Sequence, residues 1–181
     1  SLLQRLREEF LPRADSHGID IILDCPDRAV VNTDGALFER ILRNLITNAI
    51  HHNTLCSVTL RLVPVKSFWR VIVSDTGRGI DPSEQENIFE EFYQLENQER
   101  DRTKGLGLGL SIVRRLSNLL YIQMEFESAP GRGTQFTFTL PAIEREQHAE
   151  PAVDYAANSL ESLVVLVVDD EYSVREGMRV L

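Results

Sequence analysis

The sequence predicts an α+β fold, a two-layer sandwich in which helices cover one face of a mixed, mostly antiparallel sheet. Three observations carry that expectation. A long stretch from about Gly35 to His52 repeats apolar residues at helical spacing behind a capping aspartate, Asp34. Residues 58–63 alternate apolar with polar, and the β-branched run 69–73 follows, with 64–67 between them as a hairpin connection. Residues 121–127 and 134–140 alternate in the same way across Ala129-Pro-Gly-Arg-Gly133, a strong turn signal.

The remaining elements follow in chain order. Leu2, Leu3, Leu6, Phe10 and Leu11 recur at helical spacing over residues 1–13, and Pro12 is expected to end that helix. Residues 19–23 form a short apolar run before Asp24-Cys25-Pro26, which reads as a strand and a turn. Asp81-Pro82-Ser83 is expected to cap a short helix running through Phe89, and 112–120 continue helically out of a glycine run. After Leu140 the composition shifts to Glu, Gln, Ala and Asn without periodicity, so 142–162 reads as a solvated linker. Residues 163–168 are a continuous apolar strand entering Asp169-Asp170-Glu171, with Val174, Met178 and Leu181 opening a helix.

Composition excludes several classes. The 181 residues suffice for one well-buried domain and a little more. A net charge of −9 argues against a nucleic-acid partner. Cys25 and Cys56 lack metal-ligand spacing and read as reduced thiols in a cytoplasmic protein. No apolar run approaches the roughly 18 residues that cross a bilayer, and no signal-peptide pattern is present. A membrane anchor in further segments of a longer parent is left open.

Three constellations carry chemistry. On the helix from Gly35, Phe38, Ile41, Leu42, Leu45, Ile46, Ala49 and Ile50 form the core stripe, while Arg40, Asn44, Asn48 and His51 share the other face at steps of four, four and three. Asparagines form helix poorly, and their amide oxygens are hard neutral ligands suited to a Mg²⁺ that bridges phosphates; the bland alternative is a solvated face. Residues 71–73 feed Asp75-Thr76-Gly77-Arg78-Gly79, where a strand-end carboxylate can accept from the exocyclic amine of adenine; the bland alternative is a plain turn. Gly77 and Gly79 would let the backbone approach a base. Gly105, Gly107 and Gly109 precede a helix N-terminus, which exposes N–H groups and a positive dipole end to an anion. A dinucleotide fingerprint fails, because Pro82 stands where the third glycine is needed and no βαβ unit surrounds it, and no GxxxxGK[ST] loop exists.

In this order, Asn44-Leu-Ile-Thr-Asn48-Ala, Asp75-Thr-Gly-Arg-Gly79, Phe89-Glu-Glu-Phe92 and Gly105-Leu-Gly-Leu-Gly109 together resemble the ATP-binding domain of sensor histidine kinases. The wider class is the Bergerat-fold (GHKL) ATPases, with a flexible ATP lid. The resemblance covers residues 1–141 and implies that Asn48 holds Mg²⁺ with support from Asn44, and that Asp75 specifies adenine. It places His51 near the phosphates and His52 beside the purine, where relatives often carry a basic residue and then an aromatic. The nucleotide-binding set it implies also includes Gly77, Gly79, Ile80, Lys104, Gly105, Leu106, Gly107, Leu108 and Gly109. Phe89 and Phe92 match a phenylalanine box that packs the base of the lid. The lid itself spans 94–104, with Arg100, Arg102 and Lys104 as the basic groups an acidic nucleotide-binding protein needs. Lys104 stands where many relatives have another glycine.

A second resemblance, of 163–181 to the start of a response-regulator receiver domain, gives Asp169 and Asp170 as its Mg²⁺-binding acidic pair. Together they imply a piece of a hybrid histidine kinase, monomeric, with ATP as substrate and a receiver or response regulator as a partner. None of the four histidines is followed by an acidic residue, so the acceptor histidine is expected on a dimerisation hairpin preceding Ser1. No catalytic group is expected within the piece, which should bind ATP and transfer little. Two other readings stand beside this one. A GHKL ATPase of another type would need a hydrolytic glutamate on the asparagine helix, for which Glu39 is the candidate; a degenerate module would bind partners without turnover.

Overall fold

The computed structural model describes residues 1–26, 29–95 and 106–142, all within one unit, Ser1–Glu144. Helix α1 (Leu2–Asp15) starts at a reciprocal cap: Ser1 Oγ accepts from Gln4 N, and the Gln4 side chain accepts from the Ser1 amine. Strand β1 (Asp20–Asp24) follows, then α2 (Gly35–His52), whose first turn is closed by Asp34 Oδ1 accepting from Ala36 N and Leu37 N at 3.0 and 2.9 Å. Next come β2 (Ser57–Val65), β3 (Phe68–Asp75), α3 (Gly109–Leu119), β4 (Gln123–Ser128) and β5 (Thr134–Pro141). The sheet runs β1-β2-β3-β5-β4, parallel between β1 and β2 and antiparallel elsewhere.

Strand parity decides which residues meet the helices. Leu23, Leu60, Val73, Phe136 and Phe126 form one cross-strand row, and Leu62, Val71, Phe138 and Met124 the next. Against these rows α1 lays Leu3, Leu6 and Phe10, and α2 lays its predicted stripe from Phe38 to Ile50. Phe38 meets Phe138 edge to face at 5.8 Å. Asp75 has the parity of Val71 and Val73, so its carboxylate faces the helical layer. Outside the core, Arg5 bonds Glu39 at 2.5 Å, and Arg43 bridges Glu39 to Glu9, tying α1 to α2.

Four local expectations differ from the structure. Pro12 lies inside α1; the one hydrogen bond it removes would end on Glu8, whose carbonyl is on an exposed turn where water replaces it, while buried Ala14 holds the last turn in place. Pro64 lies inside β2. Val65 and Phe68 close the hairpin, so Pro64 turns its nitrogen away from β3, toward a side that β1 covers only as far as Arg61. Asp81 Oδ1 accepts from Ser83 N and Oγ at 2.9 and 2.7 Å, which commits it to a tight turn; only a single 3₁₀ turn, Asn87–Phe89, follows. Phe89 packs edge-on against Phe126 and Phe136, but Phe92 is 70% exposed with φ +67° and is held by its backbone, which donates to Gly107 O at 3.0 Å.

The linker beyond Ala142, the strand at 163–168, Asp169 and Asp170 lie outside the described residues, as do Arg100, Arg102, Lys104 and Gly105. No helix among the described residues is long and apolar enough to cross a membrane.

Phe138 is fully buried at the crossing of α2 and the sheet. Phe138→Ala is expected to cost about 3–5 kcal/mol in urea denaturation with an unchanged m-value; a loss under 1 kcal/mol contradicts this packing.

Candidate functional site

Because α2 buries one stripe and lifts the other, its polar face forms one wall of a cavity of about 560 Å³. That wall presents Asn44, Asn48, His51, His52 and Asn53. Val73 and Asp75 come from the end of β3, Arg78, Gly79 and Ile80 from the loop after it, and Thr134 and Phe136 from β5. Leu106, Gly107, Leu108 and Gly109 also line it, with Gly109 against Asn48. Of the nucleotide-binding set expected from the sequence, Gly77 does not line the cavity, and Lys104 and Gly105 are outside the described residues.

The floor is polar at one point. Asp75 Oδ1 accepts from Gly77 N at 2.8 Å and from Asn53 Nδ2 at 3.3 Å. Burial pushes the carboxyl above the usual carboxylate range, against the pull of the Gly77 and Thr134 backbone N–H groups and the Asn53 amide. A carboxylate drawn out of water this way can only accept, so its complement is a ligand with an N–H donor. The loop that carries it is locked by a second one: Gly131 N donates to Arg78 O at 2.7 Å. Gly133 has φ +76°, and a Cβ there would stand 1.8 Å from Asp75 O, so only glycine lets the β4–β5 turn come so close.

At the other end the groups suit a cation and an anion. Asn44 Nδ2 donates to Arg40 O at 2.8 Å, which leaves its carbonyl oxygen over. No hydrogen bond of the half-buried Asn48 side chain is found among the described residues, and its amide faces Gly109, where a Cβ would stand 3.1 Å from Oδ1. These hard, neutral oxygens fit a Mg²⁺ that arrives with phosphates. Among the described residues no group of three or more His, Cys, Asp or Glu could hold a metal alone. Gly109 also opens α3, whose Ncap Leu108 offers no side-chain cap, so the first N–H groups of α3 are available to an anion. His51 and His52 meet edge to face at 4.9 Å on the cavity wall.

Glu39 does not line the cavity; it bonds Arg5 and Arg43 on the α1 side of α2. Sequence reasoning passed over Asn53 and Arg13, which both line it. For Asn53 a signal existed, an asparagine just past the helix end beside two histidines; Arg13 comes from α1 and carried none.

A family model described as histidine kinase-, DNA gyrase B- and HSP90-like ATPase matches residues 33–144. The chain is 38% identical over 144 residues to the adaptive-response sensory kinase SasA of Synechococcus sp. (strain JA-3-3Ab), covering 78% of this chain and 38% of that protein. It is 29% identical over 185 residues to the autoinducer 2 sensor kinase/phosphatase LuxQ of Vibrio harveyi, covering 94% of this chain and 21% of that protein. Among solved structures, full-length ShkA in complex with AMPPNP superimposes with a TM-score of 0.67 at 31% identity, over 78% of this chain and 29% of that one. The chain therefore spans well under half the length of each of these relatives.

Asp75 makes a prediction about stability without ligand. Its folded pKa is raised, so its contribution to stability is full below the unfolded value and is lost as pH rises through the folded one. Asp75→Asn is accordingly expected to raise the Tm at pH 7 and to lose that advantage below about pH 4. A lower Tm at pH 7, or a gain independent of pH, contradicts the assignment.

Proposed function

Because the chain belongs to the histidine kinase-, DNA gyrase B- and HSP90-like ATPase family, with a domain homologous to the catalytic domains of sensor histidine kinases, we propose that it is the ATP–Mg²⁺-binding catalytic part of a hybrid sensor histidine kinase. The observation that carries this reading is that one cavity brings together a desolvated Asp75, the amide oxygens of Asn44 and Asn48 and the N-terminus of α3. That combination of acceptor, hard oxygens and anion site suits an adenine nucleotide laid along α2. Asp75 accepts from the exocyclic amine, and Asn48, supported by Asn44, holds the Mg²⁺ that neutralises phosphate charge. The α3 N-terminus takes a phosphate through backbone N–H groups. His51 adds charge near the phosphates as pH falls, and His52 borders the base.

Phosphoryl transfer needs little covalent chemistry from the protein and depends on positioning. The γ-phosphoryl acceptor is a histidine on a partner helical hairpin, and this chain's own residues orient the nucleotide and exclude water around it. The solved relative ShkA holds AMPPNP, which supports the nucleotide assignment. The apolar run 163–168 leading into Asp169 and Asp170 supports reading 163–181 as the start of a receiver, with those two as its acidic pair and 142–162 as the linker; the similarity to LuxQ, over 94% of this chain, extends into that segment. A hydrolytic ATPase is disfavoured because Glu39, its candidate base, is committed to two arginines away from the cavity.

Calorimetry with ATP and ADP tests the reading. ATP is expected to bind more tightly with Mg²⁺ than without, and Asn48→Ala to remove about tenfold or more of Mg²⁺–ATP affinity while ADP without metal still binds. Supplying a histidine hairpin in trans should then restore phosphoryl transfer. Absence of nucleotide binding by the unaltered chain leaves the partner-binding module as the surviving reading.

A further inference from the structure

Asn53 sits where the end of α2, the end of β3 and the loop after β3 converge. It ends α2 in an extended conformation, φ −129° and ψ 161°, so its side chain turns back into the fold. Its carboxamide engages all three of its hydrogen-bonding positions, one on its own helix and two at the site. Nδ2 donates to Ala49 O at 3.0 Å and to Asp75 Oδ1 at 3.3 Å, and Oδ1 accepts from Arg78 N at 3.1 Å. Only a carboxamide combines two donors and an acceptor at this reach. The space it fills is the missing side chain of Gly77: a Cβ there would stand 1.9 Å from Asn53 Oδ1 and 2.1 Å from its Cγ. Gly77 meanwhile donates its own N–H to Asp75 Oδ1. Both of these bonds end on one carboxylate oxygen and Oδ2 takes neither, while the Thr134 backbone N–H adds a further pull on the carboxylate from β5.

We propose that Asn53 is a positioning residue for base recognition: seated in the gap left by Gly77, it fixes the rotation of the Asp75 carboxylate so that Oδ1 is consumed within the fold and Oδ2 is presented to the 6-amino group of the bound purine. The inference rests on the reading of Asp75 as the adenine acceptor. It gives the first glycine of the Asp-x-Gly-x-Gly turn a role in this chain distinct from contact with a base, since its open face is occupied by the asparagine. It also ties base recognition to α2, because the same carboxamide caps the helix end that carries Asn48, His51 and His52.

Discrimination between ADP and IDP, measured by calorimetry without metal, reads this directly. IDP replaces the amine donor with a carbonyl, so a fixed acceptor at Oδ2 rejects it, and the unaltered chain is expected to prefer ADP by about tenfold or more. Asn53→Ala is expected to bring the two affinities within about threefold of each other by freeing the carboxylate to turn. Asn53→Leu keeps the branched shape but carries neither donors nor an acceptor, and provides the same comparison should the alanine variant not fold. Gly77→Ala evicts the carboxamide and should reduce the ratio alone, yet add nothing in an Asn53→Ala background. Equal weakening of ADP and IDP, with the ratio intact, means that Asn53 is structural only and overturns the proposal. Failure of the unaltered chain to distinguish ADP from IDP instead overturns the assignment of Asp75 on which it rests.

Discussion

Asp75 is drawn out of water at the end of a central strand, and backbone and amide donors from three parts of the chain are spent on keeping it charged there. Much of the surrounding architecture follows from meeting that demand. The loop after β3 must fold back so that Gly77 N reaches Oδ1, the end of α2 must deliver Asn53, and the β4–β5 turn must approach Asp75 closely enough that Gly133 tolerates no side chain. A buried acceptor without a donor costs free energy, so the arrangement is a liability in the empty protein and an asset once a ligand supplies an N–H.

The helix α2 couples this floor to the rest of the molecule. Its apolar stripe is packed onto the sheet rows that run through Val73 and Phe138, while its amides and histidines stand over the cavity. The core and the site are therefore two faces of one rigid element, which is the support a positioning site requires. The link from α1 through Arg5, Glu39, Arg43 and Glu9 fastens the same helix from behind. Exposed ion pairs of this kind contribute little stability one at a time, but here they occupy Glu39 and keep a carboxylate out of the cavity.

Much of this was legible in the chain because the signals are local. The Asp34 cap and the stripe from Phe38 to Ile50 determine α2 to the residue, and the parity of 69–73 places the Asp75 carboxylate. Prolines misled where the position of a nitrogen matters more than its identity: Pro12 removes a bond that water replaces, and Pro64 points its nitrogen away from its hairpin partner. The resemblance implies that Phe92 packs the base of the lid, yet its positive φ turns the side chain outward while the main chain makes the contact. Asn53 escaped notice because its partners, Ala49, Asp75 and Arg78, come together only when a helix end, a strand end and a loop converge.

On the proposed reading, one nucleotide lies along α2 with its base on Asp75 and its phosphates between Asn48 and the start of α3. A crystal structure of this chain with Mg²⁺ and AMPPNP should then show the exocyclic amine of adenine about 2.7–3.2 Å from Asp75 Oδ2 and the metal on the amide oxygen of Asn48. A nucleotide bound with its base elsewhere, or with Asp75 still without a ligand donor, contradicts it.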